Sequence, residues 1–326
     1  MEGSGGKYRA GVDLGGTKLA VGILDSEGAL VGREVSYDHK GLDEGRVLGL
    51  IERDFDAALA SAGLERGDVK GVGVLFPGHI RWPEGLALTS SNLTGFKNYP
   101  LRARVSERLG LPCLADNDAN AQALGEYHYG AGRGVDPLVF LTVSTGIGGG
   151  IVIDGKPYRG FSGTAGEFGH MIVEATGGRS CTCGNRGCLM GAASGIAIPE
   201  AAKSAATRLA SEGGCADLPG GCADYEGLDG AMLASGCADG NELCREVVEE
   251  FARYLGIGMY NVFQILNPKA IVLGGGLLNL PDFFFVKAAE TCYELAGPMM
   301  YDRMEIRKGH LGGWAGVIGA AALFEA

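Results

Sequence analysis

Two spacings of apolar residues alternate along this chain and divide it into predicted strands and helices. Short apolar runs bounded by glycine or aspartate predict strands at 7–14, 17–24, 29–35 and 69–76. Apolar residues three and four positions apart predict a helix at 43–62, with Val47, Ile51 and Phe55 on one stripe. The same patterns predict the rest of the first half as helix 101–109, strand 111–115 and helix 118–129.

The second half of the chain is predicted to repeat this order of elements. Its strands are expected at 138–144, 150–153, 156–161, 270–273 and 305–307, and its longer helices at 242–266, 283–295 and 314–324. In each half, three strands come first and a glycine turn joins the first two of them. The repeat, which is one of topology rather than of residues, predicts two α/β domains with a ligand-binding cleft between them.

Composition narrows the class of protein. The chain has 326 residues, enough for two domains, and its net charge of -11 does not favour a nucleic-acid-binding face. The sequence has no apolar leader and no uncharged apolar run near the ~18 residues of a membrane span, so neither secretion nor membrane insertion is expected. Nine cysteines, an odd number without a leader, predict a reducing cytoplasmic location.

A histidine and three closely spaced cysteines predict a structural zinc site within residues 163–191. The four candidate ligands are His170, Cys181, Cys183 and Cys188. Gly184 and Gly187 would let the loop fold back so that the sulfurs face one point. Four protein ligands leave no position for a reactive water, so the metal would hold His170 and the nearby Glu167 as ligand contacts. The alternatives are a reduced loop with incidental cysteines and a histidine that belongs to the core.

Three glycine-containing stretches have the composition of phosphate-binding turns, since backbone N–H groups, a hydroxyl and an ammonium can hold phosphate oxygens. The candidate residues are Asp13, Gly15, Gly16, Thr17 and Lys18, then Thr145, Gly146 and Gly148, then Gly274, Gly275 and Gly276. Asp13 could hold a metal ion through water, and the third stretch could let an adenine approach the backbone. The alternative is two ordinary hairpin turns and one turn at a helix start. Neither the Walker nor the Rossmann pattern is present.

The segment ADNDAN at 115–120 places Asp118 after a predicted strand and at a predicted helix start. One interpretation is an N-cap, a common role of aspartate at such a position. The other is a general base. A carboxylate at a helix N-terminus is stabilised in its charged form and is a weak base, which suffices for phosphoryl transfer, where positioning and charge stabilisation dominate.

Five segments, in this order, resemble the ROK family of sugar kinases and repressors. They are DLGGTK, LADNDANAQALGE, LTVSTGIGGG, GTAGEFGHMIVE with CTCGNRGC, and IVLGGGL. The resemblance implies two actin-like, hexokinase-like (ribonuclease-H-like) α/β domains. It also implies ATP with Mg²⁺ as cofactors and transfer of the γ-phosphoryl group to a hexose, with glucose as the first candidate.

The resemblance also implies roles for individual residues. Asp118 would be the general base, and the sugar would be held by Gly78, Asn92, Asn117, Asp118, Glu167 and His170. In the family, the histidine serves both zinc and sugar through its two ring nitrogens. Family members are often dimers or tetramers, so a homo-oligomer that binds sugar and ATP is expected, without a nucleic-acid or membrane partner. Family repressors carry a helix-turn-helix before the first motif, whereas here only twelve residues precede Asp13.

One position departs from the family pattern. The family usually has a sugar-contacting glutamate two residues after the last zinc cysteine, where this chain has Met190. Either Met190 changes the sugar preference, or another acid such as Glu174 takes over. The alternatives to glucose are N-acetylmannosamine, N-acetylglucosamine, allose and fructose. A non-catalytic sugar sensor is the alternative of another class, and the intact Asp13 and Asp118 speak against it.

The predicted domain boundaries follow from these motifs. Residues 1–120 form the first domain, completed by the C-terminal helix 312–326, and 121–311 form the second, which contains the zinc loop. Residues 211–240 carry Gly-Cys-Ala-Asp at 214–217, 221–224 and 236–239, which predicts a low-complexity surface insertion or extended loop. A second metal site there is the less favoured alternative.

Overall fold

The computed structural model describes residues 6–16, 18–39, 41–90, 93, 95–214, 216–219 and 224–325. The chain divides into two compact units by its internal contacts. Unit 1 comprises Met1–Leu138, Gly150–Gly166 and Gly309–Ala326, and unit 2 comprises Val139–Gly149 and Glu167–Lys308. This division differs from the predicted boundary at residue 120, which falls inside a helix that belongs to unit 1 as a whole.

The first sheet and its helices come mostly from the first 130 residues. Its strands are β1 (Tyr8–Leu14), β2 (Leu19–Leu24), β3 (Leu30–Ser36), β4 (Val69–Phe76) and β7 (Cys113–Asn117), with a separate hairpin of β5 (His79–Arg81) and β6 (Leu86–Thr89). The helices in this part are α1 (Glu44–Ala62), α2 (Leu101–Leu109) and α3 (Asp118–Tyr129), and α9 (Ala315–Ala322) joins them from the C-terminus. A short 3-10 helix, Arg66–Asp68, precedes β4.

Strand order in the first sheet is β3-β2-β1-β4-β7. The first three strands pair antiparallel as a meander, whereas β1, β4 and β7 pair parallel. Parallel neighbours bring their carboxyl ends to one edge of the sheet. The loops after β1, β4 and β7 therefore share that edge, and they carry the first glycine turn, Gly78 and Asp118.

Helices cover both faces of this sheet. The stripe of α1 that includes Val47, Ile51 and Phe55 is buried in the core, as its spacing predicts, and α1 lies over β2 and β3. On the other face, α9 packs on β1 so closely that a methyl group added to Gly11 would lie 1.9 Å from the Val317 carbonyl oxygen. Burial on both faces explains why these strands are continuous apolar runs rather than alternating ones.

The second sheet has strand order β10-β9-β8-β11-β12. Its strands are β8 (Leu138–Val143), β9 (Ile147–Ile153), β10 (Lys156–Pro157), β11 (Ala270–Gly274) and β12 (Glu305–Lys308), with β9 and β10 antiparallel and β11 and β12 parallel. The helices of unit 2 are α4 (Leu189–Ala193), α5 (Ile198–Glu212), α6 (Gly230–Ala238), α7 (Glu242–Leu266) and α8 (Asp282–Ala296). Further short 3-10 helices include Phe168–His170, Gly195–Ala197, Tyr225–Gly227, Gly276–Asn279, Gly297–Met299 and, near the C-terminus, Gly312–Trp314.

Most predicted elements are present, and the differences have local causes. The hairpin β5–β6 was not predicted, and the strand expected at 156–161 is only two residues long. Gly160, within the expected strand, has a φ of 69°, which lies outside the extended range of a strand. The expectation of an extended loop at 211–240 is wrong for residues 230–238, which form α6 and bury Leu233, and the expectation of a surface insertion stays a prediction. Within the described ranges, every helix is too short or too polar to cross a lipid bilayer.

Candidate active site

Strand β7 and helix α3 meet between Asn117 and Asp118, and this junction determines which residue caps the helix. Asn117 has an extended backbone, and its Oδ1 accepts hydrogen bonds from the N–H groups of Ala119 and Asn120 at 2.9 and 3.4 Å. Asn117 is therefore the N-cap, and the interpretation of Asp118 as N-cap is wrong. Strand β7 extends to Asn117 because that residue pairs with Phe76 of β4. The helix therefore begins at the next residue, Asp118.

Asp118 is the first residue of α3 and is half-buried. Its Oδ1 accepts a hydrogen bond from the N–H of Ala119 at 2.9 Å. The Asn117 Nδ2 donates to the Gly78 carbonyl at 3.2 Å. Unit 1 thus brings together three of the predicted sugar and base residues, Gly78, Asn117 and Asp118, and Asn92 lies outside the described residues.

The first glycine turn joins β1 to β2 and is held from three sides. The Gly15 N–H donates to the Lys18 carbonyl at 2.9 Å, which closes the turn. The Lys18 Nζ donates to the Gly313 carbonyl at 3.3 Å. The buried His39 donates from Nε2 to the Gly15 carbonyl at 2.8 Å. Gly16 lies within this turn, and Thr17 is outside the described residues.

Asp13 lies at the end of β1, immediately before this turn. Burial raises the pKa of its carboxyl above the usual value, and the nearby Lys18 ammonium acts in the opposite direction. Burial is the larger effect, so neighbouring protein groups do not fully offset the loss of hydration of the charged Asp13 carboxylate. A divalent cation held through water would supply that compensation.

The second turn, between β8 and β9, is shorter than predicted. The Ser144 N–H donates to the Gly146 carbonyl at 2.8 Å, and β9 begins at Ile147. Gly148 therefore lies within the strand and not in the turn. Ser144 and Thr145 accept hydrogen bonds through their carbonyls from Gly195 and Ile196, at 2.8 and 3.0 Å.

The third glycine stretch ends β11 and faces the second turn. Gly274 is the last residue of β11, and Gly276 begins a 3-10 helix. Gly275 between them has a φ of 95°, and a methyl group there would lie 2.4 Å from the Val143 carbonyl oxygen. Only glycine suits a position with this conformation and this close approach.

The second and third stretches border one cavity of about 430 Å³ in unit 2. Thr145 and Gly276 line it, whereas Gly146, Gly148, Gly274 and Gly275 are not among its lining residues. The other lining residues are Ser144, Gly195, Ile196, Ile198, Leu228, Asp229, Gly230, Ala231, Ala234, Leu277 and Asn279. Apart from Ser144, which belongs to the second glycine stretch, the sequence did not indicate these residues, several of which lie in or beside α6. Asp229 is the N-cap of α6, since its side chain accepts from the Met232 N–H at 2.8 Å. An aspartate at such a position is the one feature of the sequence that indicates a helix start here.

The four predicted zinc ligands converge in unit 2. Their ligand atoms all lie within 4.8 Å of one another. The Cys181 Sγ is 3.5 Å from the His170 Nδ1, and the Cys183 Sγ is 3.7 Å from the Cys188 Sγ. A tetrahedral ion about 2.3 Å from sulfur and about 2.1 Å from nitrogen requires separations of roughly 3.6 and 3.8 Å. These two separations match those of a tetrahedral metal ion.

The backbone of this loop folds back as the glycines predicted. Gly184 and Gly187 have φ values of 90° and 75°. At Gly187 the chain also passes so close to the Glu174 carbonyl oxygen that an added methyl group would lie 1.9 Å from it. The fold-back brings Cys188 next to Cys183 and buries it completely.

Glu167 and His170 flank a 3-10 turn beside this cluster. The His170 Nε2 lies 3.9 Å from the Glu167 Oε2, so the ring nitrogen that points away from the cysteines faces the carboxylate. Both side chains are partly exposed, at 32% and 42%. His170 can therefore serve a metal ion through one nitrogen and a ligand through the other, as the resemblance implies.

Met190, where the family pattern has glutamate, is half-buried beside the same turn. Its Cε would lie 3.0 Å from a methyl group added to Gly169 and 3.5 Å from one added to Gly146. Its sulfur lies 3.7 Å from the Thr182 hydroxyl. Glu174, the alternative acid, accepts a hydrogen bond from the Tyr254 hydroxyl of α7 at 3.0 Å.

Both units are α/β layers with glycine turns and polar residues at strand ends, an architecture typical of proteins that bind phosphorylated ligands. The ROK family model matches residues 9–326. The glucokinase of Halalkalibacterium halodurans is 33% identical over 320 residues, covering 98% of this chain and 95% of that protein. The chain belongs to the ROK family.

Solved structures agree with this assignment. A ROK family glucokinase from Streptomyces griseus, crystallised with glucose and AMPPNP, matches with a TM-score of 0.80 at 32% identity, covering 97% of this chain and 98% of that one. A ROK family transcriptional regulator matches with a TM-score of 0.83 at 26% identity, covering 100% of this chain and 79% of that one. The predictions of the family and of its actin-like α/β fold are confirmed.

Proposed function

We propose that this protein is an ATP-dependent hexose kinase of the glucokinase type, which transfers the γ-phosphoryl group of ATP to the primary hydroxyl of glucose. The observation that carries the proposal is the junction of β7 and α3. There Asn117 takes over the capping of the helix, so the half-buried Asp118 carboxylate is not required as the N-cap. The full-length similarity to glucokinases supports the same reaction.

In this reaction the Asp118 carboxylate accepts the proton of the sugar hydroxyl as that oxygen attacks phosphorus. Gly78 and Asn117, which are hydrogen-bonded to each other, hold the sugar beside it. Glu167 and His170 are further sugar contacts, and Asn92 completes the set. Positioning the two reactants accounts for most of the expected acceleration, because phosphoryl transfer needs little covalent assistance from the protein.

ATP and Mg²⁺ are assigned to the glycine turns. The cavity of about 430 Å³ in unit 2 lies within the usual size range of small-molecule sites. Its apolar wall of Ile196, Leu228 and Leu277 suits a purine. The first turn, with Lys18, suits phosphate oxygens, and Asp13 would hold Mg²⁺ through water. The metal ion would neutralise charge on the phosphates.

Structural zinc is assigned to His170 and the three cysteines. The support is the match between their separations and those of a tetrahedral site. Zinc there would hold the His170 ring so that its second nitrogen faces the sugar, and would keep the Glu167 turn in place.

The test is a coupled assay of ADP release from ATP with glucose, mannose, fructose, allose and the two N-acetylhexosamines. ADP release that requires glucose, and that is lost in the Asp118→Asn variant, is the expected result. Preference for another of these sugars would keep the kinase assignment and change the substrate. Sugar binding by calorimetry without ADP release from any hexose would refute the kinase and favour a sugar sensor.

A further inference from the structure

Arg159 lies in the irregular segment after β10, yet its guanidinium is nearly buried in unit 1. Its Nε and Nη2 donate to the Asp116 Oδ2 at 2.8 and 2.7 Å. The side chains of Arg159 and Asp116 are only 15% and 3% exposed. The guanidinium carbon also lies 3.8 Å from the ring centroid of Trp82, which places the flat group over the indole.

Asp116 connects Arg159 to the start of α3 through hydrogen bonds. Its Oδ1 accepts from the Asn117 N–H at 2.8 Å and from the buried Asn120 Nδ2 at 3.3 Å. Both carboxylate oxygens are therefore in use, one toward Arg159 and one toward the helix start. Asp118 is two residues further along the chain, so its backbone position depends on these bonds.

Trp82 provides the connection to the opposite segment. It follows β5 in the hairpin that begins directly after Gly78. Arg159 thus contacts the hairpin through Trp82 and the end of β7 through Asp116. The hydrogen bond from Asn117 to Gly78 joins the end of β7 to the residue just before the hairpin. One side chain from a third segment holds the two segments that carry Gly78 and Asp118.

We propose that Arg159 is a positioning residue, which holds the start of α3 and the hairpin after Gly78 in the geometry that phosphoryl transfer requires. The proposal rests on the kinase function proposed above. Buried ion pairs add little net stability compared with apolar residues, but they determine geometry when every partner is hydrogen-bonded. A lysine could not replace Arg159, because it lacks both the planar face and the fork of N–H groups.

The kinetic test compares Arg159→Met and Arg159→Lys with Arg9→Met. Arg9 is a matched control, since it is also buried in unit 1, pairs with Glu325 and donates to the Asp25 carbonyl at 2.6 Å. We expect kcat to fall about 10- to 100-fold in both Arg159 variants, as for a small misplacement of reacting groups. The KM for ATP should change little in all variants, and Arg9→Met should lose stability but keep kcat.

The second measurement does not depend on catalysis. Hydrogen exchange of the Ala119 and Asn120 amides, which donate to the Asn117 Oδ1, should be faster in Arg159→Met than in Arg9→Met. If the wild type has no kinase activity, the kinase assignment fails, and amide exchange still decides whether Arg159 holds the helix start. Unchanged exchange, or equal kcat in Arg159→Met and Arg9→Met, would overturn the proposal, and so would full activity of Arg159→Lys.

Discussion

The position of Asp118 one residue after the N-cap allows its catalytic and structural contributions to be separated by one substitution. In Asp118→Asn, the Asn117 side chain still caps α3, because both capping hydrogen bonds belong to Asn117. The helix loses a negative charge in its first turn, worth about 0.3–1 kcal/mol. Loss of a general base should lower kcat about 10²- to 10⁴-fold, which corresponds to roughly 3–5 kcal/mol in the activation barrier.

The expected signature is therefore a large kinetic effect with a small change in the free energy of unfolding. Steady-state ADP release at saturating sugar and ATP measures kcat, and urea unfolding measures stability. Asp43→Asn is the matched control, since Asp43 caps α1 by accepting from the Arg46 N–H at 2.9 Å. It makes the same chemical change at another helix start and should leave kcat unaltered.

Asn117→Ala should show a different combination of effects. Loss of the cap costs about 0.5–2 kcal/mol of stability, and the hydrogen bond to the Gly78 carbonyl is lost as well. Near-normal turnover in Asp118→Asn, with sugar and ATP binding intact, would refute the assignment of Asp118 as the base. Its role would then be limited to stabilising the helix start through its charge.

The remaining predictions concern zinc, sugar preference and pH. Metal analysis should find about one zinc per chain. Cys183→Ser should lose the zinc and bind sugar more weakly. Equal sugar affinity of metal-free and metal-loaded protein would disprove the connection between zinc and the sugar site. Met190→Glu should raise kcat/KM for glucose relative to N-acetylhexosamines by about 10- to 100-fold, the worth of a hydrogen bond to a charged group; an unchanged ranking of sugars would contradict this. Burial raises the pKa of Asp13 above 3.8, so the stability that this carboxyl contributes is lost as pH rises through its folded-state pKa. Asp13→Asn should therefore raise the free energy of unfolding at neutral pH but not at a pH below the folded-state pKa of Asp13. Urea unfolding of the variant and the wild type, without nucleotide or Mg²⁺, measures this. An equal difference in stability at neutral and at low pH would refute the reasoning.

Local periodicity was enough to predict the strongest elements. The strand at 69–76 and the helix at 242–266 have the predicted bounds, because each is a regular apolar pattern. The helix at 118–129 also has its predicted bounds, although its apolar pattern is weak. The ROK family and the order of strands and helices also followed from motifs and spacing. The convergence of His170 with the three cysteines was predicted as well, since these residues are close in sequence and glycines govern the fold-back.

The identity of the residue that caps α3, by contrast, depended on pairing between distant strands. Asn117 is extended because it pairs with Phe76, forty-one residues earlier, and no local pattern contains that information. The same holds for α6, whose low-complexity sequence gives no sign that it borders the cavity in unit 2.

Side-chain partners across the chain were also decided only by the tertiary structure. In the sequence, Arg159 is one basic residue of a segment predicted as a strand, and Glu174 is an alternative sugar-contacting acid. The fold places Arg159 between Asp116 and Trp82, and it joins Glu174 to Tyr254. Apolar spacing specifies which face of an element is buried, but which buried faces and loops meet depends on packing between residues far apart in the chain.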